Sequence, residues 1–299
     1  MSVISPLRAE RLRARVLDYV ALTKPRIMML LLITAAGGTF AAARGVPPIG
    51  ALVGVLAGGA LASGGASALN HVLDRHLDEL MGRTHDRPVA SRRVSVRAAT
   101  AFGLALSALS LVVFAVSTNL LATLLALAGN VFYVAVYTAW LKRLTPQNIV
   151  IGGAAGAVPS LVGWAAVAGT VSAPALWLFA IVFLWTPPHF WALALLLKND
   201  YAAARIPMLP VVRGERATVR QIFAYAVVLS IVTMLPIGWT TFGAAYGLSA
   251  APLDVWFLFL AWKLLREPSR GRARTLFHAS LVYLGGLFLA IAVTAVIRG

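Results

Sequence analysis

Cysteine is absent from the 299-residue chain. That removes disulfide frameworks, thiolate metal sites and cysteine nucleophiles from consideration. Acid is scarce as well, with 10 Asp and Glu against 26 Lys and Arg and a formal charge of +16. Charged residues of both signs make up only 12% of the sequence, about half the share usual in soluble proteins. Heptads, collagen-like glycine periodicity and long charge runs are missing too, and with them the coiled-coil, fibrous and disordered classes.

What fills the chain instead is apolar. Hydrophobic residues account for 60% of it, with a mean hydropathy of +0.84. A compact soluble domain cannot hide that share, so the composition specifies an all-α membrane protein with several spans. Runs of about 17–25 apolar residues cross a hydrocarbon core. Nine such runs are expected, at 27–43, 49–69, 98–116, 120–140, 149–169, 175–197, 221–243, 252–265 and 276–297. No strand-and-turn alternation suggests a barrel.

The basic residues set an orientation. All except Arg44 and Arg298 fall on one side of this nine-helix arrangement, in the N-terminal segment and in the loops after the second, fourth, sixth and eighth spans. By the positive-inside rule that side is cytoplasmic, with the N-terminus in and the C-terminus out. An odd number of spans agrees with this. The charge then reads as cationic loops facing an anionic membrane surface and an anionic substrate, not nucleic acid. Residues 1–26 lack the short apolar region and cleavage site of a secretory signal. Leu12, Val16, Tyr19 and Val20 instead form an interfacial stripe leading to Lys24-Pro25-Arg26. The connections on the opposite face, 44–48, 117–119, 169–174 and 243–252, are short. Loops 70–97 and 198–220 are long, charged and rich in motif, so chemistry is expected on the cytoplasmic face.

Of the ten carboxylates, only Asp254 lies apart from the basic side. The informative set is Asn70, Asp74 and Asp78, at i, i+4 and i+8, which share one face of a helix where the second span ends. Two acids one turn apart repel, so a compensating cation is expected. That cation is either a neighbouring arginine, as at any solvated helix end, or a hard metal ion. Carboxylate and amide oxygens suit Mg2+, which keeps waters and bridges to phosphates. A second acid, Asp200, leaves the sixth span in a matching span–acid–basic-loop unit, which suggests an internal pseudo-repeat converging on one cavity. Lys142, Arg143 and Lys198 stand near these acids in the sequence. Metal plus fixed cations is what a diphosphate leaving group needs.

The row Asn70-x3-Asp74-x3-Asp78, followed by Arg83-Thr84 and Arg87-Pro88, resembles the first acidic motif of the UbiA superfamily of intramembrane prenyltransferases. Further blocks are similar to its haem-farnesylating members: Thr23-Lys24-Pro25-Arg26, Tyr137-Thr138 with Leu141-Lys142-Arg143, Thr145-Pro146-Gln147-Asn148, Thr186-Pro187-Pro188-His189-Phe190-Trp191, and Asp200-Tyr201 with Ile206-Pro207-Met208-Leu209-Pro210-Val211-Val212. The resemblance runs from about residue 19 to the ninth span. It implies one prenyltransferase domain over 1–299, a UbiA-type bundle, and a cavity open to cytoplasm and lipid in the cell membrane. It implies transfer of farnesyl from farnesyl diphosphate to the 2-vinyl group of haem B, with addition of water, giving haem O and diphosphate. Mg2+ would be the cofactor, held by Asn70, Asp74, Asp78 and Asp200. Catalytic residues would be Asp74, Asp78, Asp200, Lys142 and Arg143, with Lys142, Arg143, Lys198 and Arg75 on the diphosphate. Product would pass to a haem A synthase or terminal oxidase assembly. One departure is plain: many members carry several aspartates in a second motif, whereas this chain offers only Lys198-Asn199-Asp200, which leaves the number of metal ions open.

Histidines enter because the acceptor contains iron. His189, at membrane depth beside Pro187-Pro188, and His71, beside the acidic row, are the haem-binding candidates, with Trp191 as a packing surface. Paired glycines at 58–59 and 152–153 suit close helix packing better than a phosphate loop. Two other functions remain in view. One is a UbiA-type enzyme acting on an aromatic or quinone precursor. The other is a secondary transporter, which would carry its charges near the bilayer midplane instead of at the span ends.

Overall fold

In the computed structural model of the chain, residues 6–238 and 242–298 are described, and every count of elements refers to these. The elements are helical: α1 (Pro6–Thr23), α2 (Pro25–Ala43), α3 (Ile49–Leu73), α4 (Arg75–Glu79), α5 (Val96–Ser117), α6 (Leu120–Val131), α7 (Asn148–Ala168), α8 (Ala173–Leu196), α9 (Lys198–Ala203), α10 (Leu209–Val212), α11 (Gly214–Met234), α12 (Gly243–Arg266) and α13 (Arg270–Arg298). A π-helical segment, Phe132–Trp140, and a 3₁₀ turn, Leu141–Arg143, extend α6. Nine of these stretches are long and apolar enough to cross a membrane. The expected all-α, nine-span architecture is therefore present.

Several expected boundaries move: the helices of the seventh and ninth spans begin at Gly214 and Arg270, before the expected 221 and 276. The eighth span, read as 252–265, is the longer helix Gly243–Arg266, and the connection expected at 243–252 is helical as far as the described residues go. Pro252 sits inside that helix. The small residues before it, among them Ala245, Gly247 and Ala250, lowered the apolar signal without breaking the helix. The seventh span passes from α-helix into a 3₁₀ turn over Leu235–Gly238, the last residues described before 242.

Small residues let the helices approach. Where α2 crosses α7, a Cβ on Gly163 would run into the carbonyl oxygen of Ala35, and one on Gly38 into that of Ser160. Gly58 accommodates the Phe114 ring and Gly152 the Tyr137 ring, which fits packing glycines. On the C-terminal side a buried carboxylate ties three helices together. Asp254 of α12 accepts hydrogen bonds from Thr233 Oγ1 at 2.7 Å and Tyr283 Oη at 2.6 Å. Asn119 does similar work at the opposite corner, capping α6 through Ala122 N–H and donating to Ala165 O of α7.

Two units share a local plan. Helix α3 is followed by the short α4 and a turn-rich loop, and α8 by the short α9 and another loop. Met81 of the first loop packs in the same core as Tyr201, Ile206 and Met208 of the second.

Candidate active site

The acidic row forms across a break. Helix α3 stops at Leu73, Asp74 takes φ −89° and ψ 0°, and α4 resumes at Arg75. Two i→i−4 backbone bonds flank it: Asp74 N–H donates to Asn70 O at 2.9 Å and Asp78 N–H to Asp74 O at 2.8 Å. Asn70, Asp74 and Asp78 therefore stay in register, and all three are buried.

Each of the three faces a cation. Lys24 Nζ donates to Asn70 Oδ1 at 2.7 Å. Lys142 Nζ donates to Asp74 Oδ2 at 2.6 Å. Arg87 Nη1 sits 2.9 Å from both oxygens of Asp78. The Asn70 amide is fixed by its surroundings. Its Nδ2 donates to Asp74 Oδ2 at 2.8 Å and to Thr138 Oγ1 at 3.2 Å, so its oxygen must face the donor-only lysine. Thr138 spends its own proton on Tyr133 O, five residues back, across the widened turn of the π-helical segment. Such segments are uncommon and gather at functional sites. This one brings Lys142, Thr138 and the stacked rings of Tyr133 and Tyr137, 5.7 Å apart, toward the acidic row.

Lys24 and Arg87 were not among the site residues expected from the sequence. Their motifs were visible, Lys24 directly before Pro25 and Arg87 before Pro88, but nothing local says which acid a distant cation meets. Lys24 adopts φ +49°, an uncommon left-handed conformation for a side-chain-bearing residue, and a residue preceding proline is normally extended. Backbone strain of this sort concentrates where the surrounding structure holds a side chain for a purpose. Burial, and next Arg87, lower the Lys24 pKa to about 7 against the opposing pull of Asp74.

Other expected residues stand differently. Arg143 Nη2 donates to Leu73 O at 3.1 Å and Arg75 Nη1 to Val72 O at 3.2 Å. Each gives one nitrogen to a carbonyl that the end of α3 leaves without a helical partner, where a cation also suits the helix dipole. Lys198 pairs with Glu215 at 3.1 Å on an exposed surface. Asp200 is half-buried and reaches toward the first loop: a Cβ on Gly82 would stand 3.9 Å from its Oδ1. Tyr201 beside it has its pKa raised by burial, with Arg83 and Arg87 pulling down and Asp200 and Asp74 pushing up. The two loops therefore share one electrostatic neighbourhood.

The histidines differ sharply. Both ring nitrogens of His71 are sealed from solvent without a hydrogen-bond partner. His189 lies between Trp185 and Phe277, with centroids at 4.3 and 4.7 Å, and its Nδ1 is 2.6 Å from Ser280 Oγ. Ser280 donates its single hydroxyl proton to Phe277 O. It must accept from His189, which places the proton on Nδ1 and the lone pair on Nε2. Trp191 is buried in the core, edge-on to Tyr225.

Oxygen donors in a row, each matched by a cation, thus lie at the end of an apolar helix long enough to cross a membrane in an all-α bundle. The chain belongs to the UbiA prenyltransferase family, whose model matches residues 31–292. It is 50% identical over 290 residues to the protoheme IX farnesyltransferase of Gloeobacter violaceus, covering 96% of this chain and 94% of that one. It is also 50% identical over 279 residues to the protoheme IX farnesyltransferase of Trichormus variabilis, covering 92% and 87%. Among solved structures, a digeranylgeranylglyceryl phosphate synthase superposes with a TM-score of 0.77 at 19% identity, over 95% of this chain and 99% of the other. A UbiA homologue from Archaeoglobus fulgidus bound to GPP and Mg2+ superposes at 0.66 and 18%, over 92% and 99%. These two show the same fold.

The residues fit a magnesium ion. Asn70, Asp74 and Asp78 offer only hard oxygen donors. Asp74 Oδ1 is buried without a partner, an orphaned anionic oxygen of the kind that calls for an explanation. Among the described residues, no three His, Asp or Glu side chains form a ligand cluster on their own. The site as it stands is held together by protein cations.

Proposed function

We propose that the chain transfers the farnesyl group of farnesyl diphosphate to the 2-vinyl group of haem B, with addition of water, to give haem O and diphosphate. The observation that carries this reading is the buried row Asn70–Asp74–Asp78 faced one to one by Lys24, Lys142 and Arg87. Identity over nearly the full length of two protoheme IX farnesyltransferases supports the choice of acceptor.

Asn70, Asp74 and Asp78 would hold Mg2+, with Asp200 reaching the same region from the second loop. Bound there, the ion neutralises charge that grows on the diphosphate as the allylic C–O bond breaks. Lys142, and Lys24 in its protonated form, supply positive charge to the same oxygens without reorganising at the moment of reaction. Arg143, Arg75 and Lys198 belong to the rim of the site, where they meet incoming anions. The farnesyl carbon that leaves oxygen forms its new bond to the terminal vinyl carbon. Water oxygen then adds to the cationic carbon next to the porphyrin and releases a proton. The walls around the acidic row, Tyr133 and Tyr137 among them, keep bulk water from the first cation. His189 offers Nε2 to haem iron from a ring clamped on both faces, His71 offers unpartnered nitrogens beside Asn70, and Trp191 backs the same helix as His189.

The basic face, with the site, would lie toward the cytoplasm of a cell membrane and the N-terminus on that side. Exposed Leu12, Val16, Leu17 and Val20 of α1 support an interfacial position for that helix. Product would move to a haem-consuming step such as a haem A synthase or terminal oxidase assembly.

Diphosphate release from farnesyl diphosphate, measured on purified protein with Mg2+ and haem B, tests the site. Asp74→Ala and Asp200→Ala are each expected to lower the rate by roughly 100-fold or more, the scale of losing a transition-state charge partner. Unchanged rates in both variants would remove these acids from the site.

A further inference from the structure

The pairing of ligands and cations has a consequence for how the substrates enter, and it rests on the prenyl-diphosphate reading above. In the structure each oxygen group suited to the metal is already spoken for: Asn70 Oδ1 by Lys24, Asp74 Oδ2 by Lys142, and both Asp78 oxygens by Arg87. The same three cations are the groups best placed to neutralise a diphosphate. We propose that the site works by partner exchange, in which metal and diphosphate must arrive together because each releases the residues that the other needs.

The electrostatics of either ligand alone are poor. A divalent cation entering by itself must push aside Lys24, Lys142 and Arg87, and those three charges are left facing it. A diphosphate entering by itself draws the three cations off and leaves Asp74 and Asp78, both buried, facing new negative charge. Buried charges without partners are costly. When both enter, the carboxylates go to the metal, the cations go to the phosphate oxygens, and every charge again has a partner. Asp74 Oδ1 is the one carboxylate oxygen of the row without a hydrogen bond, and it is the point at which the metal can begin. Lys24 has a separate part in this. It is the cation that faces a neutral ligand, so its removal frees Asn70 without stranding a buried carboxylate. Its left-handed φ of 49° and the Pro25 that follows fix its backbone at the junction of α1 and α2, so that the side chain alone swings.

Exchange makes binding cooperative, and cooperativity of this kind is reciprocal. Titration calorimetry on the whole protein in detergent measures it with three probes: Mg2+ alone, farnesyl diphosphate in EDTA, and the two together, corrected for their complex in solution. Wild type is expected to bind each ligand about tenfold or more tighter in the presence of the other, within the usual range of coupling. In Lys24→Met, Mg2+ alone should bind more tightly because its competitor is gone. Metal-free farnesyl diphosphate should bind more weakly, and the coupling should shrink. Lys24→Arg, which keeps the cation, should retain the coupling. Independent binding of the two ligands in wild type would overturn the exchange while leaving the prenyl-diphosphate reading in place, and so would a loss of Mg2+ affinity in Lys24→Met. Absence of any binding of the combined ligands to folded wild type would overturn both.

Discussion

Asp78 is the residue on which the integrity of the acidic row most depends. It is 3% exposed and its two oxygens share one guanidinium nitrogen of Arg87, itself largely buried. Replacing Arg87 with methionine keeps the bulk and strands the carboxylate. The expected cost is about 3–5 kcal/mol, read as a lower unfolding temperature in detergent, and Mg2+ should recover part of it by serving as the missing cation. A stability equal to wild type without metal would mean that Asp78 finds water or another donor. The acidic row was legible in the sequence because its spacing matches the helical repeat and survives the break at Asp74. Of its cations only Lys142 was named from the sequence, without its partner Asp74; Lys24 and Arg87 were not, because they reach the row from separate segments and nothing in their neighbours says where they point. Arg75 and Arg143 illustrate the converse. They sit beside the acids in sequence or motif, and each gives one nitrogen to a carbonyl at the end of α3, Val72 O or Leu73 O, an anchor that no sequence spacing reveals.

At the scale of elements, hydropathy set the number of spans and most of their limits. It could not register the π-helical stretch Phe132–Trp140, because a widened turn changes the hydrogen-bond partner and not the residue type. It also shortened the eighth span, whose first turns, Gly243–Ala251, are small and weakly apolar yet remain helical. The contact of α2 with α7 carries a definite prediction. Gly163 lies against the Ala35 carbonyl and Gly38 against that of Ser160, so both backbones are at their closest approach. Gly163→Ala should force the helices apart at a cost of about 1–3 kcal/mol, seen as a lower unfolding temperature. Because Lys24 directly precedes α2, metal and diphosphate binding should weaken with it. An unchanged unfolding temperature would show that the crossing has slack.

At the scale of the molecule, one face gathers the acidic row, the two loops and nearly all the basic residues, while the other has short connections. That asymmetry predicts topology. Alkaline phosphatase fused after Arg298 should be active, whereas the same reporter inserted between residues 212 and 215 should be inactive, because it folds only outside the cytoplasm. The reverse pattern would turn the site to the other side of the membrane. Whole-chain similarity to protoheme IX farnesyltransferases fixes the class of chemistry more firmly than any local contact does, because the acidic row alone would serve any prenyl diphosphate. The choice of haem as acceptor rests on that whole-chain similarity.

The most direct measurement is therefore of the acceptor. Purified protein in vesicles, given Mg2+ and farnesyl diphosphate with either haem B or a phenolic quinone precursor, is analysed for products by mass. The account predicts haem B whose 2-vinyl group has become a hydroxyethylfarnesyl chain by gain of one farnesyl group and one hydroxyl, with diphosphate released in equal amount and the phenolic compound unchanged. A prenylated phenol with haem B unmodified would contradict it.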